Sequence, residues 1–296
     1  MEKDLLKTIE HGMPRFSKGQ KQIATYILEH YEKAAFMTAS KLGALVGVSE
    51  STVVRFANEL SYEGYPELQR ALQELVRTKL TSFQRMEVAD NLIGQENVLE
   101  KILLSDAEKI RHTLDATDKY SFDQAVEKLV GARRIYMIGV RSSYFLAGFL
   151  HHNLQIILDN VTWVQPNSGS EVFENILNIG PEDVLVAISF PRYSKRTIHA
   201  VAYAKGHGAD IIAMTDSEAS PIASYADQLL LSQSDMASFV DSLVAPLSLI
   251  NAMIVAVAMK KREEVNVRLR KLENIWQAYD VYETEGAGGR EGKANG

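Results

Sequence analysis

The chain has 296 residues, 46% of them apolar and 24% charged, and contains no cysteine. That length suggests about two domains of ordinary globular composition. The missing cysteine excludes disulfides, thiolate metal sites and a cysteine nucleophile, and suits a reducing cytoplasm. The net charge of −6 is uneven: residues 1–80 carry 11 Lys/Arg against 10 Asp/Glu, and the rest carry 21 against 28. The first segment is therefore the better suited to face phosphate.

The opening MEKDLLKTIE carries charges where a secretory signal needs an apolar stretch. The N-terminal 80 residues read as all helix. Ser17 followed by Gln20 fits a capping box that opens a helix through about His30. A second helix starts near Thr38 and a third after Ser49. Gly64 and Pro66 then interrupt the pattern, and 66–80 resumes helical spacing.

Within this segment ASKLGALVGVSESTVVRFANEL, residues 39–60, has the grammar of a helix-turn-helix. Gly43 is small where the second helix must press on the first, and Gly47 supplies the turn. Leu42, Val46, Val48, Val53 and Phe56 fill the angle between the helices, and Ser49 is a suitable N-cap. Val53, Phe56, Ala57 and Leu60 make one inward stripe, while Ser51, Thr52, Arg55 and Glu59 point outward. Short hydroxyls and an arginine on an exposed helix face reach phosphates and base edges in a major groove. Lys41, Ser49, Ser51, Thr52 and Arg55 are the candidate DNA contacts. For Arg55 the competing reading is a surface ion pair with Glu59, four residues on.

Residues 81–95 read as a linker and 97–116 as a connecting helix. From about 120 short apolar runs alternate with helical stretches. The runs are 135–138, Val161–Val164, Val184–Ile188, 210–214 and Gln228–Leu231, separated by helical patterns near 142–158, 171–179, 195–207 and 220–226. Such alternation predicts an α/β domain, a parallel sheet covered on both faces. Two long helices, near 237–262 and 264–283, close it. The most apolar stretch, 243–259, is interrupted by Pro246, Ser248 and Asn251. It reads as a buried or interfacial helix rather than a membrane span. The domain plan is 1–80, a helix-turn-helix bundle; 81–118, linker and connecting helix; 119–284, the α/β domain; and 285–296, a disordered tail.

Two strand-to-helix loops carry the second chemical signal. The first strand ends in Gly139-Val140-Arg141-Ser142-Ser143, and the third leads into SFPRYSKRT, residues 189–197. In a doubly wound sheet of order 2-1-3-4-5, strands 1 and 3 flank the crevice where ligands sit. Each loop opens a helix whose first N–H groups are unsatisfied and whose dipole end is positive. Ser142, Ser143 and Ser194 add hydroxyls. Arg141, Arg192 and Lys195 add charge, and arginine grips phosphate or carboxylate as a fork. Cations at a helix start oppose its dipole, and a bound anion would offset them. Glu171 either orients a sugar hydroxyl or caps the helix after Asn167-Ser168-Gly169-Ser170. His151, His152 and His199 read as surface or packing residues, no spacing suggests a metal, and no cofactor is expected.

The chain resembles the RpiR family of bacterial transcriptional regulators, in which an N-terminal helix-turn-helix precedes a sugar isomerase (SIS) domain that senses phosphosugars. The resemblance covers about 1–283. It is carried by VSESTVVRFANELSYEGYPELQRAL, by RRIYMIGVRSS, and by DVLVAISFPRYSKRT followed by GADIIAMTDSEASPIASYADQLLL. It implies a five-stranded parallel sheet, a duplex operator as partner, and Gly139, Ser143, Ser189 and Ser194 in the effector site. Two departures stand out. Arg141 occupies the second glycine of the family's Gly-x-Gly-x-Ser loop, and Pro191-Arg192 replaces the Ser-Gly core of Ser-x-Ser-Gly-x-Thr. The expected effector is a phosphosugar or a sugar acid, with Arg141 and Arg192 sharing the anion grip. Two-fold operator reading further implies a homo-oligomer, dimer or tetramer. The rival readings are a sugar-phosphate isomerase with an appended helical module, and a metabolite-sensing adaptor that binds protein through residues 1–80.

Overall fold

A computed structural model describes residues 5–79, 81, 83–86, 88, 97–165, 170–235 and 240–282, the side chains of 77–79 excepted. Residues 89–95 of the expected linker, Asn167 to Gly169 and the tail 285–296 lie outside the described residues.

The head is built from α1 (Leu5–Gly12), α2 (Lys18–Ala34), α3 (Ala39–Val46), α4 (Glu50–Glu59) and α5 (Tyr65–Lys79). The Ser17–Gln20 capping box opens α2 as predicted, but the helix kinks at His30 and resumes to Ala34 instead of stopping. Ile9, Ile23, Ile27, Leu42, Val53, Phe56, Leu68 and Leu72 are fully buried and form one core. Phe16 meets Phe56 edge-on at 5.2 Å. Tyr65 ties α5 to the end of α2, its hydroxyl donating to the Met37 carbonyl at 2.8 Å.

After the linker come α6 (Val98–Ala116) and α7 (Lys119–Gly131), then β1 (Ile135–Gly139), α8 (Ser142–Ile157), β2 (Val161–Val164), α9 (Glu171–Asn175), β3 (Val184–Ile188), α10 (Lys195–Gly206), β4 (Asp210–Thr215) and β5 (Gln228–Leu231). The helices α11 (Val244–Lys260) and α12 (Arg262–Ala278) follow, meeting at a 100° bend. All strands are parallel, in the order β2-β1-β3-β4-β5. This is the expected topology.

Side chains alternate across each strand, so the apolar runs feed two cores. Val184, Val186 and Ile188 join Leu146, Leu150, Leu154, Ile250, Met253 and Val257 on one face. Leu185 and Ala187 join Val172, Ile176, Ala200, Val201 and Ile222 on the other. The stretch 243–259 is thus chiefly sheet-covering core, with Val255 and Met259 left exposed on its outer side. No single helix among the described residues is long and apolar enough to cross a membrane.

Two helical expectations shrink. Of 171–179 only the five residues of α9 are helical, and of 220–226 only a 3-10 turn, Ala223–Tyr225. Both segments have buried isoleucines, Ile176 and Ile222, that mimic helical periodicity while serving as plugs between loop and sheet.

Candidate DNA-binding and effector sites

In the head the turn is built as the residues require. Gly47 takes φ +77°, and its N–H and that of Val48 return to the Gly43 carbonyl. A Cβ on Gly43 would stand 2.8 Å from the Val48 carbonyl oxygen, so only glycine lets the turn close on α3. Val53, Phe56, Ala57 and Leu60 are buried, and Ser51, Arg55 and Glu59 are exposed, as predicted. Ser49 holds the N-cap position of α4, but its hydroxyl makes no cap. It instead lies 2.9 Å from both Ser51 Oγ and Thr52 Oγ1. The Arg55 guanidinium turns toward the start of its helix, donating to the Ser51 carbonyl at 3.2 Å and approaching Thr52 Oγ1 at 3.5 Å. Serine, threonine and arginine thereby form one hydrogen-bonding group at the exposed start of α4.

Sequence reasoning missed the other wall of this surface. A cleft of about 450 Å³ is lined by Ser17, Gly19 and Gln20 from the start of α2 and by Val48, Ser49, Thr52 and Arg55. Two helix N-termini, both favourable to anions, converge there. The signal was present in the capping box, which marked where α2 begins. Its nearness to α4 depends on how the helices cross. Lys41 is exposed in the first turn of α3.

In the α/β domain Gly139 pairs with Ile188, which sets the loops after β1 and β3 side by side at the carboxyl edge of the sheet. Gly139 is there for space: a Cβ would lie 2.1 Å from the Ser143 carbonyl oxygen, so α8 can begin immediately above the strand. Ser143 and Ser189 are buried, Ser142, Arg141, Arg192 and Lys195 are exposed, and Ser194 is half-buried. Arg141 is the N-cap of α8 at φ 60°, ψ −125°, and Arg192 has φ 68°. These are conformations that glycine adopts freely and side chains resist.

Tyr193 donates its hydroxyl to Asp216 Oδ1 at 2.9 Å and so ties the β3 loop to the β4 loop. Thr197 was not singled out. It lies in the first turn of α10, is fully buried, and its Oγ1 has no hydrogen-bond partner. A buried hydroxyl in that state costs about 1–3 kcal/mol unless a ligand or water completes it. Its position three residues after Ser194 was the signal that could have found it. Glu171 is the first residue of α9, half-buried.

His151 stacks on Trp163 at 6.0 Å, and Tyr144 stacks on the same ring at 4.3 Å. Burial, then the neighbouring His152, hold the His151 imidazole below its ordinary value. His151 is a packing residue, as expected. Among the described residues no cluster of His, Asp and Glu could hold a metal.

Comparison with known proteins places both halves. The helix-turn-helix domain model of the rpiR family matches residues 3–79, and the SIS domain model matches residues 128–256. An uncharacterised helix-turn-helix transcriptional regulator of Caldanaerobacter subterraneus is 26% identical over 284 residues, spanning 92% of this chain and 95% of its own. The transcriptional regulator HexR of Pseudomonas aeruginosa is 23% identical over 279 residues, 91% and 94% of the two chains. Among solved structures, the sugar isomerase domain of an RpiR transcription factor from Sphaerobacter thermophilus is 26% identical with a TM-score of 0.56, covering 59% of this chain and 97% of that one. The Vibrio vulnificus NanR protein, solved with ManNAc-6P, has the same two-part fold at 21% identity and a TM-score of 0.58, covering 93% and 99%.

Proposed function

The chain belongs to the rpiR family of helix-turn-helix transcriptional regulators, and from that premise we propose that a small anionic sugar held beyond β1 and β3 sets its affinity for operator DNA. The head presents Ser49, Ser51, Thr52 and Arg55 on α4 to the major groove, with Lys41 and the start of α2 on the flanking phosphates. The effector is a phosphosugar or a sugar acid. Ser142, Ser143, Ser189 and Ser194 donate to it, Arg141, Arg192 and Lys195 supply charge, and Glu171 accepts from a sugar hydroxyl. Gly139 keeps the space open. The protein acts in the cytoplasm, where its duplex is. The α/β domain senses rather than catalyses, a reading supported by the relatives' names as transcriptional regulators.

One observation carries the effector assignment. In the loops that follow two adjacent strands, Arg141 and Arg192 each hold a backbone conformation that costs a side chain on the order of 1–3 kcal/mol. Both stand where the family pattern has glycine. Placing a guanidinium at each of two strained corners of one crevice makes sense if the pair grips a charged ligand.

Calorimetric titration with phosphosugars, beginning with N-acylated hexosamine phosphates, and with sugar acids tests the site. Binding that Arg192→Ala leaves unchanged would remove the arginine from it. Gel shifts on the duplex upstream of the gene, repeated over a salt series with and without the bound sugar, test the linkage. No salt-sensitive, sequence-selective shift would overturn the regulator reading.

A further inference from the structure

The loop from β3 to α10 is pinned at both ends to the exit of the neighbouring strand β4. At its start the Ser189 N–H donates to the Met214 carbonyl at 3.1 Å. Near its end the Tyr193 hydroxyl donates to Asp216 Oδ1 at 2.9 Å. Asp216 directly follows β4, and its Oδ1 also accepts from the hydroxyl of fully buried Thr215 at 3.2 Å. A side chain fixed in the sheet thus orients the acceptor that the loop reaches. Beside the first pin Phe190 and Pro191 are buried, and the proline ring sets its own φ. Between Pro191 and Tyr193 stands exposed Arg192, the one residue of 189–194 with a positive φ, at 68°.

A side chain stays in such a corner only where its surroundings over-determine it. Released on either side, an arginine would swing back to a negative φ, where its Cβ meets no obstruction. Burial of Phe190 and Pro191 prevents this from one side. From the other side the restraint is half-buried Tyr193, through its hydrogen bond to the Asp216 carboxylate. A hydrogen bond to a carboxylate contributes about as much as a left-handed corner costs, so this one is large enough to decide where Arg192 sits. We propose that Tyr193 and Asp216 are positioning residues for the effector: their hydrogen bond holds Arg192 in its corner, so that the guanidinium is in place before the anion arrives. The role rests on the effector site proposed above. Tyr193 acts through Arg192 and makes no contact with the sugar, and it strengthens binding by ordering the arginine in advance.

Tyr193→Phe keeps the ring and removes the pin. Titration of the full-length chain with an N-acetylhexosamine 6-phosphate should show at least fivefold weaker binding in this variant. In an Arg192→Gly background, where the corner needs no holding, the same change should alter affinity less than twofold. Asp216→Ala should match Tyr193→Phe, their combination should be no weaker than either, and Asp216→Asn, whose amide oxygen still accepts, should restore most of the loss. Urea unfolding reads the clamp without any ligand, by fluorescence, since Trp163 on β2 and Trp276 on α12 both report on the α/β half. Arg192→Gly should raise the urea midpoint of wild type more than that of Tyr193→Phe, in which the corner has already relaxed. Equal midpoint changes in the two backgrounds would overturn the clamp. So would a Tyr193→Phe variant that binds like wild type, or one that loses affinity equally with arginine and with glycine at 192. A wild-type chain that binds no sugar of the panel would instead overturn the effector site, and the unfolding comparison would still decide whether the hydrogen bond holds Arg192.

Discussion

Arg141 and Arg192 tell function from folding because the two demand opposite residues. At φ 60° and φ 68° a glycine would relieve strain, offset in part by the freedom glycine regains when unfolded. Arg141→Gly and Arg192→Gly are therefore expected to leave the α/β domain as stable as before, or more stable by up to ~1 kcal/mol. Each should weaken the anion tenfold or more, as loss of one charge-assisted pair would. Chemical denaturation beside calorimetry reads both; a destabilised Gly variant with full affinity would make the arginines structural. Arg55 poses the same kind of question in the head. Arg55→Ala is expected to cost about 1–3 kcal/mol on the cognate duplex and to relax specificity at one base position. If it instead lowers affinity evenly across sequences and reduces the salt slope by about one, Arg55 is a phosphate contact.

At the level of elements, two junctions decide whether head and sensor work as one. The α3–α4 corner depends on Gly43. Gly43→Ala would drive a methyl into the Val48 carbonyl, with an expected cost of about 1–3 kcal/mol to the head. Duplex binding should fall while anion binding holds, since the two cores are separate. The second junction is Arg85. It is buried, its Nη1 donates to Asp241 Oδ1 at 2.6 Å, and three residues on Val88 belongs to the core of the head. Asp241 stands in the chain between β5 and α11. Asp241→Asn keeps the shape and removes the counter-charge. It is expected to destabilise the docking of the linker, since breaking a buried ion pair costs about 3–5 kcal/mol. The effector should then still bind but shift operator affinity less, which gel shifts with and without the sugar would measure.

For the whole molecule, the proposed regulation is a coupling free energy, and such coupling is reciprocal: if the sugar changes operator affinity by some factor, operator DNA must change sugar affinity by the same factor. Acidity should also act globally. With the His151 value held below its ordinary 6.5, the folded chain binds fewer protons there than the unfolded chain. Stability is therefore full above that value and declines as pH falls below it. Melting curves from pH 7.5 to 5.5 should show the loss, and His151→Gln should lessen it. Much of this molecule was legible in the sequence. Apolar runs at strand length separated by helical patterns determined a parallel sheet, because period and burial follow directly from residue order. Gly43, Gly47 and the stripe Val53, Phe56, Ala57 and Leu60 determined the helix-turn-helix, because its constraints span only twenty or so neighbouring positions. Tertiary structure alone decided the rest. That Ser17 and Arg55 line one cleft, that Arg85 reaches Asp241, and that α6 turns its leucines outward all depend on which surfaces meet across long separations in the chain. Local periodicity reports that a helix has an apolar face, but which way that face turns is set by what the remaining elements have already covered.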